Sequence, residues 1–264
     1  MEILQFDIRG KFAHFRKYYA NNTALTYSLP PRTAVMGMLA AISGMPRDSY
    51  YVELASDKIR IGIAIKTPIK KTFHRLNFLS IKSTGDFRKS FESDFRGMAG
   101  NPIQTPFEVV SGYNVQKDDV CYRVFITHTE LGKNTFQALR KRLLTHDLVY
   151  TLALGTANFN ASISNIVSYD DNQVVEKQAM EECINFDSAV NSENVTEILF
   201  EKETSGSIEE DLLPADFISN NNRELSRMNR ILYTTAEIPL RVKLTGSYYI
   251  IQNQIDDQII QFLE

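Results

Sequence analysis

Arg9, Lys11, Arg16, Lys17, Arg32 and Arg47 occupy a stretch with no acidic residue between Asp7 and Asp48. Phe12, His14, Phe15, Tyr18, Tyr19 and Tyr27 are interleaved with them. Guanidinium and ammonium groups pair with phosphates, and aromatic faces stack on unpaired bases. Cations and rings mixed at this density point to contact with single-stranded RNA. The plainer alternative is a loop whose aromatics enter the core and whose cations face water.

A second stretch repeats the pattern. Lys66, Lys70, Lys71, Arg75, Lys82, Arg88, Lys89 and Arg96 are opposed there only by Asp86, Glu92 and Asp94. Phe73, His74, Phe78, Phe87, Phe91 and Phe95 lie among them, and Gly97, Gly100, Pro102 and Pro106 follow as a turn-rich tip. Projecting from a folded body, such a segment reads as a clamp on single-stranded nucleic acid. Its alternative is a solvated ribbon held down by its own phenylalanines. Arg140-Lys141-Arg142 reads instead as the solvated face of a helix.

Other chemistries find little support. No GxGxxG, GxSxG or HExxH occurs, and Gly132-Lys133 lacks the upstream glycine of a phosphate loop. His14, His74, His128 and His146 are dispersed, and Cys121 and Cys183 show no metal-ligand spacing. Neither a metal nor a cofactor is therefore expected, and the two thiols read as reduced. The amino terminus has no basic segment followed by an apolar one, and the longest nearly uncharged helical stretch, Thr33 to Met45, is too short to span a bilayer. The expectation is a cytoplasmic protein with no membrane contact.

The elements that must position these residues follow from periodicity. Residues 2–9 alternate as a first strand. After a long connection, Pro30-Pro31-Arg32-Thr33 opens a helix that Gly44 and Pro46 end. Ile59, Ile61, Ile63 and Ile65 mark a strand, and Val120 to His128 another. Asn134 is the expected N-cap of a second helix carrying Phe136, Leu139, Leu143, Leu144 and Leu148. Asn158 to Ser168 returns as a strand. The order is βαββαβ, an α+β arrangement of the RRM or ferredoxin-like kind, with one sheet face covered by helices and one free. It has a long insertion at about 68–119, too long for a hairpin loop. From 169 to 264 the chain turns acidic and polar. Residues 170–210 read partly as exposed loop, and residues 231–251 as added strands with a turn at Thr245-Gly246-Ser247, packed on the body.

The net charge of −3 hides a division. Residues 1–150 carry a net +9 and residues 151–264 a net −12. One half is thus suited to a polyanion, and the other to a basic neighbour or to solvent.

Two runs carry a family resemblance. One is Phe6-Asp7-Ile8-Arg9-Gly10-Lys11-Phe12-Ala13-His14-Phe15-Arg16. The other is Leu25-Thr26-Tyr27-Ser28-Leu29-Pro30-Pro31-Arg32-Thr33-Ala34-Val35-Met36-Gly37-Met38-Leu39-Ala40-Ala41-Ile42. Together they resemble the N-terminal signature of family five of the CRISPR-associated (Cas) RAMP proteins. Leu152-Ala153-Leu154-Gly155-Thr156-Ala157-Asn158-Phe159 is similar to that family's later glycine-containing segment. The resemblance covers about residues 1–165, and its subtype looks nearest to the type I-B branch. It implies a modified RRM fold, a RAMP domain over 1–168 with a thumb-like insertion. It also implies a place in a Cascade-type complex, gripping the 5′ handle of the guide RNA (crRNA) and touching the backbone and large subunits. Target DNA would be met only through the complex. The matching motif positions are Arg9, Phe12, His14, Phe15, Arg16, Tyr27, Arg32 and Gly37.

The expected RNA contacts are Arg9, Lys11, His14, Phe15, Arg16, Lys17, Tyr27 and Arg32, with Lys70, Lys71, Phe73, His74 and Arg75 from the insertion. No catalytic residue is expected. Two other readings stay open. In the type I-C branch the family member cuts precursor RNA without metal through a Tyr/Lys/His-type site, which Tyr27, Lys71 and His74 could mimic. The chain could also be a purely structural assembly subunit.

Overall fold

The computed structural model describes residues 1–20, 23–79, 83–92, 102–200, 208–253 and 256–264. Lys82, Asp94, Phe95, Arg96, Gly97 and Gly100 lie outside the described residues, and Phe78 and Pro102 are described in backbone only. The amino-terminal part runs β1 (Ile3–Gly10), β2 (Phe12–Ala13), β3 (Phe15–Arg16), β4 (Thr26–Tyr27), α1 (Arg32–Ser43) and β5 (Ile59–Ile65). The insertion is β6 (Ile69–Leu79), α2 (Thr84–Glu92) and β7 (Pro102–Gly112). Then come β8 (Val120–His128), α3 (Lys133–Leu144), β9 (Leu152–Ala153) and β10 (Asn160–Tyr169). The acidic segment adds β11 (Val174–Phe186), β12 (Val190–Asn191), β13 (Val195–Ile198), β14 (Ile208–Ser219), β15 (Asn222–Thr234), β16 (Leu240–Ile251) and β17 (Gln258–Ile260).

The main sheet has the order β5-β8-β1-β10-β9, with antiparallel neighbours throughout. Each helical crossover skips one strand, so the two β–α–β units interleave. The isoleucines of β5 alternate with period two, and Ile59, Ile61, Ile63 and Ile65 all face the helices. They share one core with Leu4, Phe6, Ile8, Tyr122, Val124 and Ile126, with Val35, Leu39 and Ile42 of α1, and with Phe136, Leu139 and Leu143 of α3. Pro31 stands at the N-cap position of α1, and Gly44 closes that helix in a left-handed conformation.

The start of α3 differs from the expectation at Asn134. A 3-10 turn over Glu130–Gly132 leads into the helix, and Gly132 takes the cap position. The cause is close docking: a Cβ on Gly132 would lie 2.2 Å from the Lys58 carbonyl oxygen. The helix also ends at Leu144, which is exposed, so Leu148 lies beyond it.

The second sheet face is covered, not free. Ile3, Ala64, Phe125 and Tyr169 meet Tyr249, Ile251, Ile260 and Phe262 of the acidic segment. On the same face Asp7 accepts hydrogen bonds from Arg123 Nε (2.7 Å), Arg123 Nη2 (3.1 Å) and Asn165 Nδ2 (2.7 Å). Burial pushes the Asp7 carboxyl up, but Arg123 and Asn165 outweigh it and hold it below the usual range.

The acidic segment is more ordered than its composition suggests. β11 is a 13-residue strand whose Ala179, Ile184 and Phe186 pack inward while its glutamates point out. A bulge between Met180 and Glu182 interrupts the alternation, which hides the strand from a period-two reading. Thr245-Gly246-Ser247 is no turn; it lies inside β16, opposite Met180 to Gln178.

Carboxylates of this segment reach back to the basic half. Lys17 pairs with Asp211 at 2.8 Å, Lys71 with Glu209 at 3.1 Å and Lys66 with Glu237 at 3.5 Å. The most enclosed case is Arg32, whose side chain is 2% exposed. Its Nη1 is 2.7 Å from Asp216 Oδ1, and its Nε is 3.0 Å from Glu264 Oε1. Its Nη2 donates to the carbonyls of Leu54 (2.8 Å) and Ile59 (2.6 Å). The charge division is thus met in part within the chain, where the sequence suggested a polyanion for one half and a basic neighbour or solvent for the other.

Arg32→Ala leaves the enclosed Glu264 without its cation and Asp216 with Arg227 alone, and should lower the free energy of urea unfolding by about 3–5 kcal/mol. Glu209 resembles Asp7: burial raises it, but Ser28, Lys71 and Tyr233 hold it low. Depressed carboxyls contribute stability that is fully present above their unfolded values and lost below them. The thermal midpoint should therefore fall as pH is lowered through about 4, and a flat profile between pH 6 and 3 would contradict it.

Candidate nucleic-acid interface

A groove of about 1160 Å³ runs beside the exposed face of α1. Thr33, Ala34, Gly37, Met38 and Ala41 of that helix line it. His14, Phe15 and Arg16 join from β2–β3, Thr105 and Phe107 from β7, and Thr151–Ala153, Gly155 and Thr156 from the segment around β9. Tyr50, Tyr51, Pro214, Phe217 and Arg223 also line it, with Ala24 and Pro31.

Local bonding explains how these pieces meet. The His14 amide donates to the Leu154 carbonyl at 3.0 Å. Gly155 sits at φ +93, and a Cβ there would lie 1.8 Å from the His14 carbonyl oxygen. Only glycine lets this segment lie against β2–β3. Glu108 of β7 binds the same corner twice. Its carbonyl meets His14 Nδ1 at 2.7 Å, and its carboxylate accepts the Thr26 amide at 2.8 Å. The His14 ring stacks on Phe107 at 4.1 Å. Burial pushes the His14 pKa down, more than the Glu108 carbonyl raises it, so the ring is neutral at pH 7.

Of the motif residues, Arg16 is exposed on the groove. Its Nη2 donates to the Ala20 carbonyl at 3.1 Å, which orients it without neutralising it. His14 and Phe15 line the groove but are buried. Tyr27 is fully buried, and its hydroxyl donates to the Leu212 carbonyl at 3.1 Å. Lys17 lies 5.0 Å from the centre of the Tyr27 ring while paired with Asp211. Arg32 belongs to the core, as described. Arg9 lies on the opposite face of the sheet, its Nε donating to Ser164 at 3.2 Å, and Lys11 pairs with Asp119 at 3.0 Å.

The insertion is an uninterrupted antiparallel ribbon from Ile69↔Gly112 to Leu79↔Pro102, with α2 in its connection. Phe73 is 60% exposed on it, and His74 and Arg75 are exposed beside it. Thr72 Oγ1 and His74 Nε2 are 3.2 Å apart. Lys70 donates to the Tyr113 carbonyl at 2.8 Å, while Lys71 is held by Glu209. Two solvent-facing sets emerge: Arg16 on the groove, and Phe73, His74 and Arg75 on the ribbon.

Tyr50, Tyr51, Phe217 and Arg223 escaped the sequence reading because they come from remote segments. The one available signal was Arg47 close before Tyr50-Tyr51, the same mixture of cation and ring that marked the other stretches. Among the described residues, no group of three or more His, Cys, Asp or Glu could hold a metal ion, and no helix is long and apolar enough to cross a membrane.

The family described as "CRISPR-associated protein (Cas_Cas5)" matches residues 3–235. Among solved structures, the chain is similar to a CRISPR protein from Archaeoglobus fulgidus, with TM-score 0.55 and 13% identity over 100% of both chains. A chain of a CRISPR RNA-guided surveillance complex matches with TM-score 0.47 and 12% identity over 91% of both chains. No curated protein matches.

The Gly155 geometry is open to direct test. Gly155→Ala should lower stability by more than about 1 kcal/mol, because the backbone is left-handed and the added carbon has no room. Gly85→Ala in α2, with nothing nearer than Ser83 Oγ at 3.6 Å, should change the thermal midpoint little. Equal effects of the two substitutions would contradict this account.

Proposed function

Because the chain belongs to the CRISPR-associated Cas5 family, we propose that it is a guide-RNA-binding subunit of a type I-B-like Cascade complex. In this reading it caps the crRNA 5′ handle and joins the backbone and large subunits in the cytoplasm, meeting target DNA only through the complex. The observation that carries it is the pairing of an open groove, bearing Arg16, with an exposed ribbon bearing Phe73, His74 and Arg75. Cations there can take phosphates, and Phe73 offers a stacking face for an unpaired base. The interleaved strand order supports a modified RRM or ferredoxin-like body with a thumb.

In the same reading the subunit holds RNA and does not cut it. Metal-independent cleavage needs acid and base groups that can reach a 2′-hydroxyl and its phosphate. Burial pushes the Tyr27 hydroxyl pKa up, and that hydroxyl is bonded to a carbonyl. Lys71 is paired with Glu209, which leaves His74 as the exposed member of the three.

Binding of repeat-derived RNA should weaken steeply with salt, with log affinity falling by roughly 0.7 per phosphate contact per log unit. Arg16→Ala and Arg75→Ala should each lower affinity about tenfold and flatten that slope. A flat salt response of the unsubstituted protein would sink the proposal. Repeat RNA should also stay intact when incubated with pure protein in EDTA. Specific cleavage that His74→Ala abolishes would establish the nuclease instead.

A further inference from the structure

Arg47 and Arg223 converge on one carboxylate beside the groove. Arg223 Nε and Nη2 lie 2.9 and 2.8 Å from Asp48 Oδ1, and Arg47 Nε lies 3.4 Å from Asp48 Oδ2. Two positive charges meet one negative charge, so the cluster keeps a net positive charge. The arginine side chains remain open, 81% exposed at Arg47 and 56% at Arg223. Each guanidinium carries five N–H donors, and one shared carboxylate cannot use them all.

Asp48 is itself fixed in place. Its backbone is left-handed at φ +62, a conformation aspartate tolerates better than most residues. The Tyr51 hydroxyl donates to its Oδ1, and its carbonyl accepts the Asn221 amide at 2.7 Å. The carboxylate therefore orients two forks without neutralising both. The forks come from distant parts of the chain, one before Tyr50-Tyr51 and one from the β14–β15 hairpin.

Rings lie next to this pair. Tyr51 packs against Tyr50 at 4.8 Å and against Phe217 at 4.4 Å. The half-buried Tyr50 reaches over α1, where a Cβ on Gly37 would come within 3.3 Å of its hydroxyl. Arg223, Tyr50 and Phe217 line the same groove as Arg16.

We propose that Arg47 and Arg223, oriented by Asp48, bind a backbone phosphate of a single-stranded RNA lying in the groove, with Tyr50 against a neighbouring base. This rests on the RNA-binding reading above and extends it to the acidic segment, which supplies Arg223. A nucleotide chain fits better than an acidic peptide, because the cations Arg16 and Arg223 and the rings of Tyr50 and Phe217 line one groove. Bidentate guanidinium forks match phosphate oxygens, and the ring supplies the stacking face. Asp48 is a positioning residue.

The test uses the full chain and a fluorescein-labelled single-stranded RNA carrying the repeat-derived handle, titrated across salt concentrations. The Arg47→Ala/Arg223→Ala double variant should bind about tenfold more weakly, with a salt slope lower by roughly 0.7. Asp48→Asn should also weaken binding, although it makes the protein more positive. A purely electrostatic role for Asp48 would strengthen binding instead and would remove the positioning claim. If Arg16→Ala weakens RNA binding while the double variant leaves affinity and slope unchanged, this site is overturned and the RNA-binding reading stands. If the double variant keeps its RNA affinity but no longer binds polyglutamate, the site belongs to an acidic protein partner. If the unsubstituted protein shows no salt-dependent RNA binding, both readings fall.

Discussion

The buried Arg32 cluster ties the β14–β15 hairpin and Glu264 to one helix. Arg32 is the first residue of α1, directly after Pro31, whose fixed φ suits a helix start. From there its guanidinium reaches Asp216 on β14, Glu264 and two carbonyls of the 54–59 segment. Asp216 takes a second cation, Arg227, at 3.0 Å on its other oxygen. Glu264 also accepts the Ile61 amide at 2.8 Å, which places it against β5. A buried ion cluster of this kind gains little over an apolar core, but it is intolerant of losing one member. What it supplies is register, since α1 and the β14–β15 hairpin cannot shift without breaking it. The groove is lined by these same two elements, so its shape depends on an interaction that no ligand could reach.

The same logic divides the cations of the basic half. Some are neutralised from within: Lys17 by Asp211, Lys71 by Glu209, and Arg123 by Asp7. Glu209 and Asp211 are two residues apart on β14 and therefore share a face of it. The Tyr233 hydroxyl bridges them, at 3.0 and 2.7 Å. The acidic segment thus acts as an internal counter-charge, and a net charge count says little about which cations face outward.

The elements were legible where burial on one face imposes a clear period. The alternating isoleucines of β5 and the pattern of β8 placed both strands closely, and Pro31 and Gly44 bracketed α1. The reading failed where tertiary contact overrides local chemistry. Gly132 took the cap from Asn134 because Lys58 presses on it, and the β11 bulge broke the alternation that would have exposed a strand. For the site, residue type alone could not separate Phe15, buried against Tyr122, from Phe73, which stands in solvent. Nor could it separate Arg32 from Arg16, both basic residues in one acid-free stretch. Exposure is decided by partners remote in sequence, such as Asp216 and Glu264, 184 and 232 residues from Arg32, and no local window contains them.

The ribbon of β6 and β7 leaves the body between two strands that are already hydrogen-bonded partners, since Ile65 pairs with Tyr122 at its base. Its eleven paired positions extend about 35 Å. Closure at the base is independent of what happens at the tip, so residues can be added or removed in pairs without changing the register of β5 against β8. The arm is therefore an adjustable part on a fixed chassis. Beyond Thr105 and Phe107, which line the groove, its span can be matched to the spacing of whatever lies past it while the groove keeps its dimensions.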